Sequence, residues 1–263
     1  MNETILIDER LGITWYSEKE SVNVESLTLP LLFHEIIINL GEIFLINEST
    51  EEQQILFSRI QPSIIKTKVK GKYQVAGILF SPKKIYQTFG LSLGEFTSQV
   101  INNPDYLLFD KKHEILEELD NVSFREKANT LANFFLKHSV NRKCPHLVDE
   151  LLDFLTPVNF SNDIQIKKIA KEIDYTSKHL ISQFKDVVGV TPKKFLQLNQ
   201  INFASKLMWQ ERHKSLTSIA LECGFYDQSH FIRTFKKITN LTPSYFKQKQ
   251  MASGSFPPNT ILR

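Results

Sequence analysis

The chain is poor in cysteine, with Cys144 and Cys223 the only two in 263 residues. Two thiols cannot build a disulfide framework, and they fit a reducing compartment, so a cytoplasmic address is expected. No stretch approaches about 18 uninterrupted apolar residues, so no transmembrane helix is expected. The opening MNETILIDER lacks the basic-then-apolar layout of a signal peptide. Histidine is scarce in the front half, where His34 stands alone before His113. A site built from clustered histidines is therefore not expected there, and no cofactor or metal is. Catalytic signatures are missing as well: there is no GxGxxG, no Walker-type loop, no GxSxG elbow and no HExxH. His138, Cys144 and His146 have a spacing that a metal tolerates but no fourth ligand beside them. Glu117, Glu118 and Asp120 read as a solvated helix face. The expectation is a protein that is not an enzyme.

What the chain does have is an ordinary globular composition, 41% apolar and 23% charged, and a length that suits two domains. Its formal net charge of +3 is a sum of opposed parts. Residues 1–160 carry 16 Lys and Arg against 22 Asp and Glu, whereas residues 161–250 carry 15 against 7. An acidic front joined to a basic rear points to a polyanionic partner for the rear. A membrane surface attracts the same sign of charge, so the sign alone does not choose.

Residues 13–80 read mainly as strands. Leu31–Phe33, Ile36–Ile38, Ile43–Ile46 and Val75–Phe80 are short apolar runs separated by Pro30, Gly41 and Gly71, and Ile64–Val69 alternates weakly. From Pro82 the periodicity turns helical over Lys83–Phe89, Leu93–Ile101, Lys111–Leu119 and Phe124–His138. Residues 139–146, SVNRKCPH, are polar with a proline and read as a linker. His146–Leu155 reads as an amphipathic packing helix. The expected division is 1–140, 141–250 and a flexible tail, 251–263. Trp15, Tyr16, Phe33, Phe44 and Phe80 are candidates for an apolar pocket, although core packing is the better reading of each. Leu116, Leu119, Leu131, Phe135 and Leu136 suffice either to face a second copy or to cover the sheet of their own domain.

The strongest signal is an internal repeat in the basic rear. At an offset of 50, Ile169, Ala170 and Glu172 match Ile219, Ala220 and Glu222. One residue is then inserted, and at an offset of 51 His179, Phe184, Lys185, Thr191, Pro192 and Phe195 match His230, Phe235, Lys236, Thr242, Pro243 and Phe246. Each copy reads as helix, tight turn, helix. Ile166, Ile169, Ala170 and Ile173 form one apolar stripe, and Gly224 supplies a turn in the second copy where the first has Asp174. Thr176 or Ser177 in one copy and Asp227 in the other stand at the cap of a new helix, with Leu180, Phe184 and Val187, and Phe231, Phe235 and Ile238, inward. Each unit closes on Thr-Pro, a capping residue followed by proline at the first helical position. Pro192 to Gln210 has no breaker and spans roughly 28 Å as a helix. Successive major-groove faces of B-DNA lie roughly 34 Å apart, so one polypeptide can present two units to adjacent grooves.

Residues 161–250, most densely IALECGFYDQSHFIRTFKKITNLTPSYFK, resemble the DNA-binding module of the AraC/XylS family of bacterial transcription regulators. The resemblance implies that the second helix of each unit reads double-stranded DNA. Its outward positions are Lys178, Ile181 and Ser182 in the first unit, and Gln228, Ser229, Ile232 and Arg233 in the second. Among these, Arg233 is chemically suited to guanine and Gln228 to adenine, the isoleucines to a thymine methyl and Lys178 to a phosphate. The alternative for Arg233 is a salt bridge to Asp227 or a solvated face. His179 and His230 read as packing or phosphate-contact residues rather than metal ligands, and Cys223 as a small buried hydrophobe. HEIIINLGEIF and QVAGILFSPKKIYQTFGLSLGEF are similar to an uncharacterised domain that often precedes such modules. That likeness implies a sensor or oligomerising role, with a small-molecule effector and a second copy as partners. RNA polymerase is the implied protein partner, and activation the implied outcome. The expected fold is thus an α+β front domain, a small β-barrel-like sheet followed by helices, and an all-α rear domain with two helix-turn-helix units joined by a long helix. A non-specific architectural DNA-binding protein, or a DNA-binding module fused to an unrecognised enzyme, are the rival readings.

Overall fold

Eight strands form one antiparallel sheet in the order β1-β2-β6-β3-β5-β7, with β4 also on β6 and β8 also on β2. The strands are β1 (Asn2–Asp8), β2 (Gly12–Thr28), β3 (His34–Asn39), β4 (Ile43–Ile46), β5 (Ile55–Ser58), β6 (Ile65–Phe80), β7 (Val100–Asn102) and β8 (Thr260–Leu262). The computed structural model describes residues 2–47, 54–96, 100–102, 107, 111–156, 176–252 and 260–262. Side chains alternate across the pleat, so each face collects its own rows. One row runs Tyr16–Ala76–Ile38–Ile55 and the next Thr14–Ile78–Ile36–Phe57. On this face lie α2 (Lys112–Asp120) and α3 (Lys127–Lys137), which contribute Ile115, Leu119, Leu131, Phe134 and Phe135 to the same core. The opposite face holds a smaller core of Ile37, Leu56, Val75, Phe44 and Ile46, where β4 folds back on β6. There the Trp15 indole lies directly on Gly77, leaving no room for a Cβ.

Several expectations are corrected. Leu31–Phe33 is not a strand, whereas β1, unanticipated, forms the sheet edge opposite β7. Leu93–Ile101 is not one helix: a 3-10 turn covers Leu93–Glu95, and Val100 and Ile101 join the sheet opposite Ser58 and Phe57. β-Branched residues beside an open edge gain more from strand pairing than from another helical turn. The five aromatics do not line one pocket. Tyr16 and Phe80 belong to the helix-covered core, Trp15 and Phe44 to the smaller one, and Phe33 is exposed. Leu119, Leu131 and Phe135 cover their own sheet, leaving only Leu116 and Leu136 half-buried. The segment read as a linker is strapped to α1 (Lys84–Phe89): Val140 N–H donates to the Thr88 carbonyl, Arg142 N–H to that of Gln87, and the Arg142 guanidinium to that of Gly90. Within the segment expected as a tail, Thr260–Leu262 pairs with Ser26–Thr28.

The rear is helical: α4 (His146–Leu155), α5 (Ser177–Val188), α6 (Pro192–Gln210), α7 (Leu216–Glu222), α8 (Gln228–Thr239) and α9 (Pro243–Ala252). The first helix expected in the first unit, with Ile166, Ile169, Ala170, Ile173 and Asp174, lies outside the described residues. The helices enclose one core from Leu147 to Phe246, and that core also takes in Leu27, Leu29, Ile60 and Tyr86 from the front half.

Candidate nucleic-acid interface

The second unit is built as its residues dictate. The Ser215 hydroxyl accepts from Ser218 N–H and caps α7, and the chain turns at Gly224 in the left-handed region, φ 73°. Asp227 caps α8, its carboxylate accepting from His230 N–H at 2.6 Å. Phe231, Thr234, Phe235 and Ile238 face inward. In the first unit Thr176 caps α5 by accepting from His179 N–H, and Leu180, Phe184, Val187 and Val188 face inward. Thr191 caps α6, and the Thr242 hydroxyl accepts from Tyr245 N–H at the start of α9. Cys223 is fully buried, and burial pushes its thiol up to about 12; Cys144 is pushed up to about 11 for the same reason. Neither is a thiolate at neutral pH.

The outward faces of α5 and α8 correspond position for position at the offset of 51. Lys178, Ile181, Ser182 and Lys185 are exposed at helical spacing on α5. Their counterparts on α8 are Ser229, Ile232, Arg233 and Lys236, of which only Ile232 is half-buried. Among the described residues Lys178, Lys185, Arg233 and Lys236 make no ion pair. Asp227 is engaged in capping rather than in a salt bridge to Arg233. Lys214, by contrast, is neutralised between Glu222 and Glu211, which raise its pKa. Lys194, near the start of α6, is pushed down by burial and by the charge of Lys237, so cations of the two units meet there.

Gln228 stands apart from the stripe. It is half-buried at the first turn of α8, and its side-chain oxygen accepts from the Thr217 hydroxyl of α7 at 2.7 Å. Sequence reasoning missed Lys185 and Lys236 as site residues, although they are an identical pair in the repeat. It also missed Tyr226, 84% exposed in the turn, and Thr217, whose link to Gln228 spans two helices. His230 packs edge-on against Phe225 with ring centroids 5.4 Å apart.

A family model described as a helix-turn-helix domain matches residues 169–249. The chain is 35% identical over 104 residues to the probable transcription factor PqrA of Proteus vulgaris, a match covering 39% of this chain and 84% of that protein. It is 29% identical over 122 residues to the melibiose operon regulatory protein of Escherichia coli, covering 46% of this chain and only 40% of that relative. The crystal structure of ToxT from Vibrio cholerae aligns with 89% of this chain and 97% of its own, at 15% identity and a TM-score of 0.47.

Proposed function

The chain belongs to the AraC family of helix-turn-helix transcription regulators, and on that footing we propose that it binds promoter DNA sequence-specifically, its two units reading adjacent major grooves under the control of the front half. The observation that carries this reading is the pair of matched outward stripes on α5 and α8, ending alike in Lys185 and Lys236. The 19-residue α6 between the units is roughly 28 Å long, near the groove repeat. Lys178, Ile181, Ser182, Gln228, Ser229, Ile232 and Arg233 are the proposed contacts, and the reading adds Lys185 and Lys236 as phosphate anchors. Transcription activation through RNA polymerase is part of the proposal. A dimer through α2 and α3 would rest on Leu116 and Leu136.

Arg233→Ala is expected to lower affinity for a cognate site by about 1–3 kcal/mol while leaving scrambled DNA nearly unaffected. Gel-shift titrations on both DNAs check it. Equal loss on the two would make Arg233 a phosphate contact and favour the architectural rival, which needs only charge and shape.

Control by the front half has a physical route through Arg59. Its Nη2 donates to the Gly189 carbonyl at 2.9 Å, at the C-cap of α5, where a cation also suits the helix dipole. Its Nη1 donates to the Phe96 carbonyl, just beyond the 3-10 turn. In that turn Gly94 lies close against Asp186 of α5, so that a side chain there would have to displace the Asp186 carboxylate. Farther along, Asn202 Nδ2 of α6 donates to the Pro30 carbonyl at 2.6 Å. An effector that moves the Leu93–Phe96 segment would thereby move a reading helix. Arg59→Met is expected to weaken footprint protection at the half-site of the first unit while sparing the other. Unchanged protection at both half-sites would remove Arg59 from the route.

A further inference from the structure

Thr217 sits on α7, the helix of the second unit that does not carry the reading stripe. Its side chain is exposed, and the cap of α7 is made by Ser215 instead, so neither packing nor capping requires its hydroxyl. That hydroxyl donates to Oε1 of Gln228 across the turn, at 2.7 Å. Gln228 is the first residue of α8 and has a long side chain whose amide presents its oxygen and nitrogen in either order when unrestrained.

The order matters in the major groove. Adenine offers a donor at N6 and an acceptor at N7, so it needs both ends of an amide, each in its place. Guanine offers acceptors at O6 and N7, and a carbonyl oxygen held at that edge meets another oxygen. Oε1 has two lone pairs, so accepting from Thr217 leaves one for adenine N6–H while Nε2 donates to N7. We propose that Thr217 is a positioning residue that fixes the donor–acceptor order of Gln228 and makes it a reader of adenine over guanine. The proposal rests on α8 entering the major groove, as set out above.

The test uses the full chain, selection from randomised duplexes, and anisotropy titrations of single-base variants of the selected site. Gln228→Ala locates the base pair at which Gln228 discriminates. At that pair Thr217→Val is expected to reduce the adenine-over-guanine ratio by about two- to tenfold, the loss of one hydrogen bond's preorganisation. Thr217→Ser should retain the wild-type ratio, and both Thr217 variants should bind scrambled DNA as the wild type does. In the Gln228→Ala background Thr217→Val should change nothing further. Wild-type discrimination in Thr217→Val, or a further effect of it without Gln228, overturns the positioning role while leaving the reading role of Gln228 intact. A Gln228→Ala variant that levels no base pair overturns both.

Discussion

Phe235→Ala is expected to destabilise the rear helical region by about 3–5 kcal/mol, enough to abolish DNA binding near physiological temperature. Phe235 is fully buried, with Phe231 and Phe246 rings 5.7 and 5.5 Å away by centroid. Its truncation leaves a cavity where α8 meets α9, and the helices cannot collapse into it without moving the outward stripe. Urea unfolding followed by helical circular dichroism measures the loss; a shift below about 1 kcal/mol would mean that the site relaxes freely, against the packing described. Phe184 and Phe195 form the same arrangement in the first unit, 5.8 Å apart, so Phe184→Ala should behave similarly.

Acidification is expected to destabilise the protein through His34. This side chain is fully enclosed, and burial, reinforced by the charge of Arg59, lowers its pKa from the ordinary 6.5 to about 3. The hydrogen bonding agrees: Nδ1 accepts from Ile60 N–H at 3.2 Å, which requires a neutral ring. A lowered histidine pKa leaves the folded state neutral while the unfolded chain takes up a proton. Its contribution to stability is therefore intact above pH 6.5 and falls as pH drops from 6.5 towards 3, by up to about 1.4 kcal/mol per pH unit. Glu35 acts in the opposite sense. Burial raises its pKa from 4.5 to about 7, so its contribution falls as pH rises through that window. Between pH 4.5 and 6.5 the two contributions oppose each other, so the histidine effect is read against a variant that lacks it. His34→Asn retains an acceptor for Ile60 N–H but takes up no proton. Between pH 6.5 and 5 the wild type should lose up to about 2 kcal/mol relative to this variant in urea titrations. A difference that stays constant over that range would contradict a neutral, enclosed His34.

The rear half was legible because duplication writes the same constraint twice. Phe184, Phe195, Phe235 and Phe246 recur at one offset, and they become two equivalent ring pairs. Caps were legible for the same local reason: Asp227 and the two threonines before proline lie next to the amides they serve. The front half was harder to read. Leu93, Phe96, Val100 and Ile101 fit a helical stripe in isolation, and the β5 edge that captures Val100 and Ile101 lies about forty residues earlier in the chain. Arg59 meets Gly189 across 130 residues, and no local pattern announces that contact. Among the proposed contacts, the outward positions of α5 and α8 followed from the resemblance to the AraC/XylS module, laid over the helical spacing of the repeat. The Thr217 hydroxyl on Gln228 required the geometry of the turn.

The proposed reading of DNA by α5 and α8, joined through the 19-residue α6, should leave two marks on the duplex. Hydroxyl-radical footprinting of the full chain on a captured site tests this most directly. Two protected windows are expected on one face of the duplex, separated by about one helical turn of 10–10.5 base pairs, with Arg233→Ala weakening only the window of the second unit. A single window, or protection that does not depend on sequence, would contradict it.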